Sequence, residues 1–332
     1  MCSENLGTNL AEPENEPGRT LPNLVDPSRT CTIGILMAKR YQVVVLVLVM
    51  AGCSPKKMGI SRMADALTST ATTFTTDTDP EFVRQAAPST LKMVEMLLDE
   101  SPKHPGLLMT ACSGFAQYAY AFLQSDADAA DPASPATREL KARGAAMYER
   151  ARGYCLRALE IGHPGAGRGL QGDAKTVLAS MSAADVPALY WTGVSWGGSL
   201  VLGETSFARI GELATIRSLF SRALQLNEAW EGGTIHEAMI AVESLPVLLG
   251  GSAARAKEHF DKAVALSNGE SAFAYVALAS GVAQPAKDRR EFERLLRAAL
   301  AIDVSKRPSI RLANLIAQKR ARYLLSQIDK LF

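Results

Sequence analysis

From Asp79 to the C-terminus, apolar residues recur every three or four positions, and proline, glycine and aspartate interrupt them at intervals. That pattern predicts helix after helix. Asp79-Pro80-Glu81 is a helix start, with an oxygen-bearing cap, proline in the first turn and an acid near the positive end. Leu91, Val94, Leu97 and Leu98 carry the apolar stripe of this helix, and Pro88 is expected to kink or restart it. Pro102 and Pro105 make a turn, after which Leu108, Ala111, Phe115, Tyr118 and Phe122 define the next helix. The alanine, aspartate and proline of residues 126–135 predict a loop. Further helices are expected over 140–161, from Asp173, and over 186–202, 208–226, 234–249, 253–266, 272–281, 288–302 and 309–331. No alternating run is long enough to be read as a strand, so the fold class is all-α.

The helices repeat as well as alternate. Ala256-x3-Phe260-x2-Ala263 matches the second-helix core of the tetratricopeptide motif, and Phe220-x2-Ala223, Val94-x2-Leu97 and Leu296-x2-Ala299 echo it. Pro102 stands where that motif ends its helix. Ala263 to Ala299 is about one 34-residue period, whereas Ala223 to Ala263 is longer. Small residues let paired helices approach, a large apolar one fills the gap, and no pair buries its face alone. The expectation is therefore a superhelical bundle of tetratricopeptide-like hairpins over 79–332, with a non-repetitive helical domain as the alternative.

The N-terminal part differs. Residues 2–30 are polar and rich in proline, asparagine and glutamate, with no hydrophobic period. Met37-Ala38-Lys39-Arg40 then leads into the apolar run Val43 to Met50 and into Ala51-Gly52-Cys53. A basic start, a short apolar stretch and small residues before a cut form the layout of a secretory signal. Cysteine after the cut makes it resemble a bacterial lipoprotein box, with Cys53 the lipidated residue. A transmembrane helix is the alternative, but Lys39 and Arg40 limit the apolar stretch to about a dozen residues where roughly 20 are needed. The reading divides the chain into a leader and signal over 1–52, a lipidated tether over 53–78 and a helical domain over 79–332. It also raises Met37 as the true start of translation.

Composition narrows the function. Hydrophobic residues make up 47% and charged residues 21%, a globular balance. The formal charge is only +2, which gives no case for nucleic-acid binding. Five cysteines at 2, 31, 53, 112 and 155 show no CxxC or other metal spacing. Their odd number argues against a disulfide scaffold, and Cys112 and Cys155 are expected as buried thiols on apolar helix faces. The four histidines have no HExxH or paired-acid context, and His236 and His259 show no obvious orienting acid, so no metal or other cofactor is expected.

Two motifs look catalytic. Gly193-Val194-Ser195-Trp196-Gly197 fits the GxSxG elbow of serine hydrolases, but that elbow needs a strand before the serine and a helix after it. Here a helical turn precedes Ser195. Gly167-x-Gly169-x2-Gly172 fits GxGxxG but follows a helix, so it is expected as a flexible inter-helix loop. Tyr190, Trp191, Trp196 and Trp230 form an aromatic group beside Gly193, Gly197 and Gly198. Either the rings fill core, with glycines for close helix crossing, or they line a cavity for a ligand or partner. The basic residues of the last helix, Lys306, Arg307, Arg311, Lys319, Arg320, Arg322 and Lys330, are expected mostly as a solvated face over a core stripe, with a docking edge as the alternative.

A more specific resemblance rests on several blocks in order: Asp79-Pro-Glu-Phe-Val83, Ala87-Pro88, Glu95-x2-Leu98-x2-Ser101-Pro102 and Tyr118-Ala-Tyr120. Ala188-Leu-Tyr-Trp191-x-Gly193-x2-Trp196-Gly197, Trp230-x-Gly232-Gly233 and Pro246-x3-Gly250-Gly251 follow. Together they resemble the T-component of TPR-associated TRAP transporters. The resemblance implies an extracytoplasmic, lipid-anchored, non-enzymatic protein that partners a periplasmic solute-binding protein. It also implies self-association as trimers and a pore or groove for a hydrophobic small molecule. A serine hydrolase using Ser195 and an envelope-assembly scaffold unrelated to transport are the alternative functions.

Overall fold

The computed structural model describes residues 62–66, 68, 71–203 and 207–332, and among these there are helices and no strand. Residues 56–332 form one compact unit. The leader, the apolar run and Cys53 lie outside the described residues.

After the helical residues 62–66 come α1 (Ala71–Thr75) and α2 (Pro80–Glu100). The Asp79 carboxylate accepts from the N–H groups of Glu81 and Phe82 at 2.9 and 3.1 Å, the expected cap. The helix does not restart at Pro88: α2 runs through it as one element. Proline forfeits a single backbone donor there, while burial of Val83, Leu91, Val94, Leu97 and Leu98 holds both halves to the same core. The next helix, α3 (Pro105–Tyr118), continues through a π-helical segment, Ala119–Gln124, into Ser125–Ala129. The expected loop is thus shorter, and Ser134 caps α4 (Pro135–Gly162) by accepting from the Thr137 N–H at 3.1 Å.

Two short helices follow, α5 (Ala166–Gln171) and α6 (Ala174–Ala179). The GxGxxG glycines fall in and around α5 rather than in a loop. Gly169 is there for packing, since a Cβ would stand 2.2 Å from the Val177 methyl of α6. The chain continues with α7 (Val186–Leu202), α8 (Phe207–Ile210), α9 (Glu212–Leu226) and α10 (Thr234–Glu243). Then come α11 (Ala253–Leu266), α12 (Ala272–Leu278) with its π-helical extension Ala279–Ala283, and α13 (Arg289–Ala301). The series ends with α14 (Arg311–Ser326) and α15 (Ile328–Leu331).

Neighbours in sequence are neighbours in space. In order, α2 packs on α3, α3 on α4, α4 on α7, α7 on α9 and α9 on α10, and the pairing continues through α11 and α12 to α13 and α14. The last long helix then returns to the first, because α14 touches α1 and α2. Arg311 donates to the Thr76 carbonyl at 3.0 Å, and Arg320 pairs with Asp128 at 2.5 Å. Tyr120 also meets Phe273 with ring centroids 5.5 Å apart. The unit is a closed ring of helices; Arg311 and Arg320 help seal it, while Lys306, Lys319, Arg322 and Lys330 are exposed, as expected of a solvated face.

Cys112 and Cys155 are joined by a disulfide between α3 and α4, which corrects the expectation of two buried thiols. Their Cα atoms stand 4.8 Å apart because the two helices cross closely at that level. Spacing in sequence carried no trace of this, since the partners are 43 residues apart.

Candidate functional site: an apolar cavity inside the ring

The ring encloses a cavity of about 700 Å³. Its wall is drawn from α2, α3, α7, α9, α10 and α14 and is mainly apolar. Tyr190, early in α7, meets Trp230 just ahead of α10, with centroids 4.9 Å apart. Val201 at the end of α7 also belongs to the wall, as do Ala241 and Val242 of α10 and, past the end of that helix, Leu245 and Leu249. The cavity has unlike ends. Near Thr234 the wall includes Glu231, Gly232, Arg307 and Ser309. Near Leu245 and Leu249 the surroundings are aliphatic, with Val201, Val247 and Leu248 exposed to 66, 83 and 98%.

The four aromatic candidates separate. Tyr190 and Trp191 are in the cavity wall and meet edge to face at 4.9 Å. Trp230 stands behind Tyr190 as a half-buried backing ring outside the wall. Trp196 faces away from the cavity into core. Its indole N–H donates to Glu212 at 2.5 Å, and the Arg152 guanidinium lies 5.0 Å over its ring.

The glycines of α7 separate in the same way. A Cβ on Gly193 would meet the Phe220 ring at 2.7 Å, and one on Gly198 the Tyr148 ring at 2.5 Å, so both exist for close crossing. Gly197 is different. A Cβ there would meet only Ile216, at 4.0 Å, so this glycine leaves the wall concave.

One carboxyl group stands inside this apolar wall. Glu237 is only 8% exposed, on the face of α10 that also carries Ala241. Burial pushes its carboxyl up to about 7, against the opposing pull of hydrogen bonding to Ser271 and the charge of Arg307. Tyr120 and Tyr190 also reach this region, and burial raises both phenols first, with the Glu237 charge adding to it. Sequence reasoning missed Glu237, although the signal was present: an acid one turn before Ala241 on an otherwise apolar stripe.

The rim beside it is built on unusual backbone. Glu231, Gly232 and Gly233 have φ of 46°, 72° and 89° in succession, all left-handed. Glycine bears this freely, but Glu231 does not, and such strain collects at functional sites. At Gly232 a side chain would also collide with the Arg307 guanidinium, 2.4 Å from the Cβ position. Arg307 donates to the Glu231 carbonyl at 3.2 Å, and among the described residues no carboxylate lies within ion-pair distance of it. It belongs to the cavity, another departure from the expected solvated face.

The other chemical candidates resolve differently. Ser195 lies in the middle of α7 with no exposed surface, and its hydroxyl donates to the Thr192 carbonyl at 3.1 Å. No strand-to-helix elbow is formed there. His236 does have an acid nearby, which corrects the sequence reading for that residue. The Nδ1 atoms of His236 and His259 are 2.7 Å apart, and His236 Nε2 is 3.1 Å from Glu228. Burial holds both imidazoles below their ordinary range. Among the described residues no group of three or more histidines, cysteines or acids could hold a metal ion.

Comparison with known proteins gives this geometry a context. An uncharacterized protein of Treponema pallidum (strain Nichols) is 27% identical over 305 residues, covering 86% of this chain and 94% of the relative. The family model of the TRAP transporter T-component matches residues 76–332, which takes in every helix of the ring from α2 onward. A closed helical ring with an interior cavity is thus carried on a recognised transport-accessory sequence, and the chain belongs to the TRAP transporter T-component family.

Proposed function

We propose that this T-component is a lipid-tethered extracytoplasmic scaffold that docks a periplasmic solute-binding protein and offers its apolar ligand a passage through the ring. The supporting observation is the cavity itself. It is open to solvent and mainly apolar, and its volume of about 700 Å³ falls in the range of small-molecule sites, roughly 300–1,000 Å³. Anchorage through Cys53 follows from the basic cluster, the short apolar run and the small residues before it. The Cys112–Cys155 disulfide fits an oxidising compartment outside the cytoplasm. Self-association into trimers, and tetratricopeptide-like pairing of the helices, complete the reading.

The test uses a TRAP-type periplasmic solute-binding protein from the same organism, mixed with the protein from Ser54 onward, a span that holds the whole compact unit 56–332. A complex is expected on size-exclusion chromatography. Trp191→Ala is expected to weaken uptake of a hydrophobic fluorophore at least tenfold while costing less than about 2 kcal/mol in denaturant unfolding. A loss of roughly 3–5 kcal/mol, the cost of emptying a packed tryptophan site, would show the ring to be core. Absence of any complex would remove the docking half of the reading.

A further inference from the structure

Within that passage, one polar station interrupts a wall that is otherwise apolar. Glu237 and Ser271 face the interior, with Tyr120 and Tyr190 near them and Arg307 at the rim. A buried carboxyl of this kind is expensive unless something satisfies it. No packing need explains it, because the neighbouring positions Ala238, Ala241 and Leu245 serve the same wall with hydrocarbon. Beyond Glu237 the wall continues through Ala241 and Val242 to Leu245 and Leu249, and the intervening Val247 and Leu248 are exposed aliphatic residues.

Resting on the passage reading, we infer that the cavity takes an amphipathic molecule with an uncharged hydroxyl head held at Glu237 and a hydrocarbon body lying toward Leu245. The charges around the station select the head. A carboxylate head would approach Glu231 and Glu237, and an ammonium head would meet the Arg307 charge and find no counter-charge at Glu237 while that carboxyl holds its proton. Either would also lose its hydration on entering an apolar chamber. A hydroxyl avoids both costs. It accepts a hydrogen bond from the protonated carboxyl or donates one to the ionised carboxylate, so Glu237 is satisfied in each state. The aliphatic end then meets the tail.

The experiment is a displacement titration on the protein from Ser54 onward, with N-phenyl-1-naphthylamine as the apolar reporter. The competitors are dodecanol, dodecanoate and dodecylammonium, which share one chain and differ in the head. Dodecanol is expected to bind the unaltered protein at least tenfold more tightly than either charged analogue. Glu237→Leu should lower dodecanol affinity at least tenfold while reporter affinity stays within twofold. Glu237→Gln, whose amide still donates and accepts, should stay within about threefold for dodecanol, and Ser271→Ala gives a milder second variant should the leucine substitution fail to fold. Equal binding of all three heads, tighter binding of a charged head, or undiminished dodecanol binding by Glu237→Leu would overturn the inference and leave the passage intact. Failure of the reporter to enter the unaltered protein would instead sink the passage reading, and this inference with it.

Discussion

The wall formed by α2, α3, α4 and α7 and the hairpins formed by α11 to α14 solve the same packing problem with different residues. In the first region, glycines bring helix axes together and large side chains fill the space they vacate. Gly114 receives Leu91, Gly144 receives Leu202 and Gly198 receives the Tyr148 ring. In the second region the buried contacts are made by alanines: Ala256, Ala263, Ala272, Ala279, Ala299, Ala317 and Ala321, with Phe260 and Phe292 between them. Alanine permits a regular stack and costs no helix propensity, whereas each mid-helix glycine costs roughly 1 kcal/mol. The glycine region accepts that cost because it must curve around a cavity. Its helices are also bolted by the disulfide, and α10 forms the seam, giving Ile235 and Met239 to one core and Ile240 to the other.

Removing the bolt should have the largest effect. In the chain-entropy picture a loop of this length contributes about 4 kcal/mol, so replacing both Cys112 and Cys155 by alanine should lower stability by about that much. Reducing agent should then have no additional effect on the variant. A change below 1 kcal/mol in chemical denaturation would mean the two regions are equally braced without the bond.

The next effect sits on the seam and depends on pH. Unfolded, the Glu237 carboxyl ionises near 4.5, while in the fold it is held at about 7. Between those values the folded chain keeps a proton that the unfolded chain has released. The stability from this group is therefore fully present below about pH 4.5 and is lost as pH rises through about 7. Glu237→Gln removes that dependence, so relative to the unaltered protein it should gain up to about 3 kcal/mol on going from pH 4.5 to pH 8. Parallel stability curves for the two proteins would place the carboxyl in water.

The finest comparison lies within α7. Gly198→Ala forces a methyl onto the Tyr148 ring and should cost about 1–3 kcal/mol. Gly197→Ala meets almost nothing, so it should leave stability within about 0.5 kcal/mol or raise it by up to 1. By narrowing the concave wall, it should still weaken uptake of a hydrophobic fluorophore. Equal costs at the two positions would mean that Gly197 is a packing glycine too.

What the sequence determined by itself was the local structure. Helix periodicity and caps are interactions among residues within four positions of each other, so Val186–Leu202 and Ala253–Leu266 were legible to the residue, as were the caps at Asp79 and Asp173. The family blocks were legible for the same reason, being contiguous strings. Tertiary structure alone decided which distant residues meet. It paired Cys112 with Cys155, turned Arg307 into the cavity and set Arg311 and Arg320 to closing the ring. It placed Tyr190 and Trp191 in the cavity wall and Trp196 in core, and gave His236 its partners His259 and Glu228. None of these follows from spacing, because curvature accumulates helix by helix, and a charged residue reads alike in sequence whether its face ends in solvent or inside the ring.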